Sequence, residues 1–146
     1  MESLDLIITG SQDKNLNLWE LSTGRRTTIV KEAHTDVIRS LAFVEDLGFL
    51  SASNDETLKL WTFEGELISL IKGHSSFVFS CAAISFDKYV SGSDDHMVKI
   101  WNNTKCVQSI LHSATVWAVA VHSTSKDIIT ACGDGSVRVF SLDQSR

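Results

Sequence analysis

The sequence predicts an all-β protein, and three observations support the prediction. Segments of one design recur along the 146 residues, apolar and polar residues alternate with a period of two near the end of each copy, and no helical period of 3.6 residues persists. The alternation is typical of strands, because successive side chains point to opposite faces of a sheet. We therefore expect repeated antiparallel sheets.

Each repeated segment begins with Ser or Thr, carries Asp four positions later, and ends in an aromatic residue six positions after the Asp. The four copies read TGSQDKNLNLW, SASNDETLKLW, SGSDDHMVKIW and TACGDGSVRVF. Their closing aromatic residues are separated by 42, 40 and 39 residues and are Trp19, Trp61, Trp101 and Phe140. A period of about 40 residues is typical of four-stranded propeller blades.

The segments around each Asp are rich in turn-forming residues and predict a hairpin between two strands. Three histidines, His34, His74 and His112, precede the closing aromatic residues by 27, 27 and 28 positions. The expected architecture is a propeller fragment of about three and a half blades, with fourteen strands in sets of three, four, four and three. The expected boundaries are an incomplete blade over residues 1–33, blades over 34–73 and 74–111, and a last blade over 112–146 that lacks its outer strand.

Composition and charge argue against several classes of function. The chain has 13 Lys and Arg against 18 Asp and Glu, which gives a net charge of −5. Nucleic-acid binding and polybasic membrane binding both need a basic surface, so neither partner is expected. The longest apolar run of the C-terminal half, Val116 to Val121, is far shorter than the ~20 residues of a spanning helix.

The remaining compositional signals concern redox state and location. The three cysteines, Cys81, Cys106 and Cys132, form no CxxC pair, so neither a zinc site nor a disulfide is predicted, and no cofactor is expected. The first residues, MESLDLIITG, lack the basic and apolar regions of a secretory signal. The expected location is the cytoplasm, with the nucleus as a second compartment.

The segment KGHSSFVFSCAAISFDKYVSGSDDHMVKIW, with its Gly-His pair at Gly73 and His74, resembles a complete WD40 repeat. The resemblance implies blades with strands a to d from the centre outward, and a hydrogen-bonded tetrad of His, Ser or Thr, Asp and Trp in each blade. Phenylalanine has no indole N–H, so the network of the last repeat is expected to be one bond short. The implied sets are His34, Ser51, Asp55 and Trp61; His74, Ser91, Asp95 and Trp101; His112, Thr130, Asp134 and Phe140; and, in the first repeat, Thr9, Asp13 and Trp19.

Ser, His and Asp together also suggest a catalytic triad. The set recurs blade after blade, whereas a reaction needs one site, so a structural role that satisfies buried polar groups is favoured. The sequence shows no phosphate-binding glycine loop and no HExxH motif. No catalytic residue is therefore predicted, and the chain is expected not to be an enzyme.

In WD40 proteins, partners often dock on the top face of the propeller, at the start of strand a and at the residue before the tetrad Asp. Here those positions hold Val37, Arg39, Phe77, Phe79, Thr115 and Trp117, and Gln12, Asn54, Asp94 and Gly133. Because aromatic residues and arginine dominate interface hot spots, the predicted partner-binding residues are Arg39, Asn54, Phe77, Phe79, Asp94 and Trp117. The alternative is that these side chains only fill space between neighbouring blades.

A narrower resemblance covers most of the chain. The segments HTDVIRSLAFVEDLGFLSASNDETLKLW, GHSSFVFS, SATVWAVAV and ITACGDGSVRVF resemble the last three blades in the propeller of the phospholipase A2-activating protein family. This resemblance implies ubiquitin binding by the top face, within an adaptor for ubiquitin-dependent degradation whose downstream domains recruit an AAA-type unfoldase. The alternative is a generic WD40 scaffold subunit that binds a different protein or peptide.

Overall fold

The computed structural model describes residues 5–142, which form fourteen β-strands in four antiparallel sheets. The strands are β1 (Leu6–Gly10), β2 (Leu16–Glu20) and β3 (Arg25–Val30); β4 (Ile38–Val44), β5 (Gly48–Ser53), β6 (Thr57–Trp61) and β7 (Leu67–Lys72); β8 (Val78–Ala83), β9 (Lys88–Ser93), β10 (Met97–Asn102) and β11 (Lys105–Leu111); and β12 (Val116–Val121), β13 (Ile128–Cys132) and β14 (Val137–Phe140). The predicted all-β fold class is confirmed.

Within each sheet, strands that are neighbours in space are also neighbours in the chain. The first strands of the three later sheets are β4, β8 and β12, and β8 contacts both of the others. Two serine hydroxyls link these strands: Ser40 Oγ accepts from the Cys81 N–H at 3.2 Å, and Ser80 Oγ accepts from the Val119 N–H at 3.1 Å. The sheets are thus held side by side through their first strands. No segment of residues 5–142 forms an apolar helix of membrane-spanning length.

The hydrophobic core lies between successive sheets, as the alternation of side chains requires. Leu50 and Leu58 of the second sheet share a cluster with Tyr89 and Trp101 of the third. The sheets approach closely, and a Cβ atom at Gly92 would lie 2.6 Å from the Val116 Cγ1 atom of the next sheet. Close contact between the two sheets therefore requires a residue without a side chain at position 92.

The hairpin after each tetrad Asp has one conformation in all four sheets. The residue that follows the Asp has a positive φ, between 68° and 82°, at Lys14, Glu56, His96 and Gly135. Its N–H donates to the carbonyl three residues earlier, and an oxygen of the Asp accepts the N–H two residues after the Asp. The Asp therefore stabilises the turn that it was predicted to mark.

Candidate functional site

In the second, third and fourth sheets, the start of the first strand is fixed against the hairpin turn of the same sheet. The N–H groups of Asn54, Asp94 and Gly133 donate to the carbonyls of Val37, Phe77 and Thr115 at 2.9, 2.9 and 2.8 Å. The two kinds of position predicted for the top face are therefore brought together in three consecutive sheets. Gln12 is exposed on the first hairpin turn and takes no part in these three bonds.

Each of these first strands contains a one-residue β-bulge. The pairing with the second strand of the sheet skips Arg39 in β4, Phe79 in β8 and Trp117 in β12. A bulge changes the direction of a side chain and is often found beside a functional site. These three residues are among those that the sequence predicts for the top face, whereas the bulges follow from strand pairing and are not evident in the sequence.

The three bulge residues stack on one another across the sheets. Phe79 stacks on Trp117 with ring centroids 4.8 Å apart and planes inclined by 24°. The Arg39 guanidinium lies 5.6 Å from the centroid of the Phe79 ring, in cation–π range. Phe77 meets Phe79 edge to face at 6.2 Å. We call these four residues, Arg39, Phe77, Phe79 and Trp117, the stacked cluster.

Two polar residues hold the edges of the stacked cluster. The Arg39 Nε–H donates to the Asn54 side-chain oxygen at 2.8 Å. The Asp94 carboxylate accepts from the hydroxyls of Thr115, at 2.7 Å, and Ser76, at 3.2 Å, so it joins the third sheet to the fourth. Ser76 is not among the residues that the sequence predicts for this site. Its position two residues after the tetrad His74 is the only signal that the sequence offers.

The stacked cluster is open to solvent although its members contact one another. Trp117 is 56% exposed and Phe77 is 41% exposed, whereas Phe79 between them is half-buried. Side chains that served only to fill space between blades would be buried. The exposure therefore favours an interaction surface over the alternative of simple packing.

Two tetrads form complete chains of hydrogen bonds. The His34 Nδ1–H donates to Asp55 at 2.8 Å, the Ser51 hydroxyl donates to His34 Nε2 at 2.6 Å, and the Trp61 indole N–H donates to Ser51 Oγ at 2.8 Å. His74, Ser91, Asp95 and Trp101 repeat this pattern at 2.7, 2.7 and 2.8 Å. In the first sheet, Trp19 donates to Thr9 at 3.0 Å, while Asp13 accepts from Ser11.

The tetrads change the proton affinity of their members. Burial acts to raise the pKa of Asp55, but hydrogen bonds from His34 and Thr57 outweigh it and lower the pKa well below its usual value. Burial lowers the pKa of His74, and the bond to Asp95 offsets this only in part. At neutral pH Asp55 is therefore a carboxylate in one tetrad, and His74 is a neutral imidazole in the other. These are the forms that the two chains of hydrogen bonds need.

The third tetrad departs from the prediction that it lacks one bond. His112 Nε2 still bonds Thr130 Oγ1 at 2.9 Å, and Phe140 meets the imidazole edge to face at 5.8 Å. However, Asp134 does not reach His112, because its carboxylate accepts from Ser113, Ser136 and the Arg138 guanidinium instead. The network is therefore two bonds short.

The difference traces to one position. Arg138 lies four residues after Asp134, where the two sheets with complete tetrads have Lys59 and Lys99. Lys59 donates to the Ala33 carbonyl and Lys99 to Ser109, so neither draws the tetrad carboxylate away. The guanidinium suits a carboxylate better and captures Asp134. Within residues 5–142, no group of three or more His, Cys, Asp or Glu side chains is placed to hold a metal ion.

Four sheets of this repeat, two of them with complete His–Ser–Asp–Trp chains, define a WD-repeat propeller module. The chain belongs to that family: the family model for the WD domain, G-beta repeat, matches residues 25–62, 65–102 and 104–141. Each match starts near the last strand of one sheet and ends near the third strand of the next. The chain is therefore a WD40 protein-interaction module.

The predicted resemblance to the phospholipase A2-activating protein family is also confirmed. The WD40 β-propeller domain of Doa1, a protein of that family, superimposes with a TM-score of 0.88 and 33% identity, over 99% of this chain and 49% of that chain. The ubiquitin homeostasis protein lub1 of Schizosaccharomyces pombe is 37% identical over 116 residues. These cover 78% of this chain and only 16% of lub1.

Similarity extends to WD-repeat proteins of other function. The ribosome biogenesis protein WDR12 homolog of Ixodes scapularis is 35% identical over 108 residues, which cover 66% of this chain and 25% of that protein. The WD40 repeat alone therefore does not distinguish one partner from another, and the side chains of the top face have to be considered.

Proposed function

We propose that this chain binds ubiquitin through the stacked cluster on its top face, as part of an adaptor in ubiquitin-dependent protein degradation. The observation that carries the proposal is the stack of Phe79 on Trp117, which is half open to solvent and spans two sheets. A rigid, partly exposed aromatic surface with an arginine at its edge has the composition of an interface hot spot. The similarity to a ubiquitin homeostasis protein supports ubiquitin as the partner.

The chemistry of the surface fits that partner. Ubiquitin presents a small apolar patch ringed by basic residues. Phe77, Phe79 and Trp117 would cover the patch, while Asp94 and the net charge of −5 would complement the basic ring. The Asp94 carboxylate is held in place by Thr115 and Ser76, so little side-chain entropy would be lost on binding.

The test is a titration of the chain into isotope-labelled ubiquitin, followed by NMR. We expect shifts on the apolar patch, and roughly tenfold or more weaker binding by Trp117→Ala, as is typical of a hot-spot residue. Leu111→Ala is the matched control, because Leu111 is an exposed apolar residue on the outer strand β11 and should leave the affinity unchanged.

The alternative, a scaffold that binds a different protein or peptide through the same face, predicts another result. In that case a chain with a native NMR spectrum would cause no shifts on ubiquitin. Equal weakening by Trp117→Ala and Leu111→Ala would also overturn the proposal, because the stacked cluster would then have no special role.

A further inference from the structure

A second surface lies at the opposite end of the first strands. It is a groove of about 620 Å³ on the face away from the stacked cluster, within the size range of ligand sites. Phe43 of β4 and Phe86, after β8, line it and are 65% and 66% exposed. Phe43 lies four residues beyond Arg39 on the same strand, or about 13 Å away at the usual rise per residue. The two surfaces are therefore separate.

The apolar part of the groove is organised. The Phe43 ring stacks on Phe63, from the turn between β6 and β7, with centroids 5.5 Å apart and planes inclined by 28°. The Phe86 carbonyl accepts a hydrogen bond from the buried Tyr89 side chain at 2.7 Å, which fixes the loop that carries the Phe86 ring. Two large apolar side chains are thus held open to solvent in one concave site, where exposure has an energetic cost.

Charge is distributed unevenly along the groove. Glu45 and Asp46 follow β4 at one end, and Lys126, between β12 and β13, lines the other. Because β8 lies between β4 and β12, the apolar residues that follow β8 separate the two ends. None of the ion pairs found within residues 5–142 uses these three side chains.

We propose that this groove binds an extended peptide segment of a partner protein, with an aromatic anchor between a basic and an acidic residue. The anchor would lie against Phe43 and Phe86, the basic residue would face Glu45 and Asp46, and the acidic residue would face Lys126. A neutral ligand would leave both charged ends without partners, and a purely acidic or purely basic one would meet a like charge at one end. The proposal is independent of ubiquitin binding at the stacked cluster.

The experiment is an NMR titration of the ¹⁵N-labelled chain at physiological salt with three blocked pentapeptides. The probe is Arg-Ala-Phe-Ala-Glu, and its controls are Arg-Ala-Ala-Ala-Glu, which lacks the anchor, and Glu-Ala-Phe-Ala-Glu, which carries the wrong charge at one end. We expect the probe to shift the amides of Asp46, Ser85 and Lys126 and each control to bind roughly tenfold more weakly. Shifts at these amides of equal size for all three peptides, or none at millimolar probe, would overturn the proposal.

Variants of the chain separate groove binding from non-specific contact. Phe86→Ala should abolish the shifts. Leu111→Ala also removes an exposed apolar side chain, but one outside the groove, and should leave the shifts unchanged. The double variant Glu45→Lys, Asp46→Asn should invert the preference, so that Glu-Ala-Phe-Ala-Glu binds more tightly than Arg-Ala-Phe-Ala-Glu. Asn is chosen at position 46 because it tolerates the positive φ of 58° there. Glu66→Lys, in the exposed turn before β7, is the control for altered net charge. An unchanged preference in the Glu45 and Asp46 variant would refute the assignment of the charged ends.

Discussion

The indole of Trp117 lies on the phenyl ring of Phe79, 4.8 Å between centroids, although the two residues belong to different sheets. Each is the extra residue of a β-bulge, so each ring leaves the regular alternation of its strand. The Ser80 hydroxyl, one residue beyond Phe79, accepts from the Val119 N–H and fixes the offset between β8 and β12. The stack thus depends on two bulges and on one contact between sheets.

The first prediction concerns this stack. Phe79→Leu and Trp117→Leu should be non-additive, with a coupling of about 0.5–1.5 kcal/mol in the free energy of unfolding, as is usual for aromatic pairs. Urea unfolding of the two single variants and the double variant, followed by circular dichroism, measures the coupling. A coupling of zero would mean that the rings are adjacent without stabilising each other.

The second prediction separates a complete tetrad from the incomplete one. Asp55→Ala should lower the free energy of unfolding by about 1–3 kcal/mol, because the fully buried His34 loses the acceptor for its Nδ1–H. Asp134→Ala should cost less, because His112 makes no bond to Asp134 and the carboxylate lies at the surface. Urea unfolding compares the two variants, and equal losses would contradict the difference between the networks.

The tetrads and the top-face residues could be predicted because the repeat fixes their spacing. His, Ser, Asp and Trp recur at set intervals, and Arg39, Phe79 and Trp117 each lie five residues after a tetrad His. The capture of Asp134 by Arg138 could not be predicted in the same way. Spacing indicates which residues are neighbours, but the partner that a carboxylate chooses depends on the reach and geometry of each donor.

The bulges and the second groove could not be predicted from the sequence for a related reason. A bulge is a property of two paired strands, and its position cannot be read from one strand alone. Phe43 and Phe86 occur at different distances from the preceding tetrad His, nine residues in one sheet and twelve in the next. Both line the groove because three turns of different sequence converge on one face.

The third prediction is a pH dependence. In the folded chain the pKa of Asp55 lies below its usual value of 3.8, so the carboxylate contributes stability that is fully present above about pH 4. As the pH falls toward the folded pKa, the unfolded chain binds the proton first and this stability is lost. Urea unfolding between pH 7 and pH 2.5 should show a smaller loss below pH 4 in Asp55→Asn than in the wild type. Parallel curves would show that another group is responsible.

The fourth prediction uses the shared hairpin conformation. His96 has a φ of 68° at the position where the fourth sheet has Gly135, and a side chain is disfavoured in this region. His96→Gly should therefore raise the free energy of unfolding by about 0.5–1 kcal/mol, after allowing for the greater flexibility of glycine in the unfolded chain. Val107→Ala, which truncates an exposed side chain on β11, serves as the neutral control in the same urea measurement. A loss of stability in His96→Gly would mean that its side chain contributes contacts beyond those of its backbone.

The last prediction is that the incomplete network of the fourth sheet can be repaired. Trp19 donates to Thr9 at 3.0 Å, so a threonine accepts an indole N–H in this setting. Phe140→Trp should give Thr130 the same bond and add about 0.5–1.5 kcal/mol to the free energy of unfolding. The half-buried position of Phe140 leaves room for the larger ring.

Arg138→Lys should complete the repair, because Lys59 and Lys99 at the equivalent positions leave their tetrad carboxylates to histidine. Asp134 would then be free to accept from the Nδ1–H of His112. In the wild type the His112 Nδ1–H bonds the Ile110 carbonyl at 3.3 Å. The measurement is therefore the NMR chemical shift of this proton, which should move downfield in Arg138→Lys as the bond to a carboxylate, shorter and stronger, replaces the bond to the carbonyl. If Asp134 stayed away from His112 in this variant, the turn around Ser113 and Ser136 would be what holds the carboxylate, and the role given to Arg138 would be wrong.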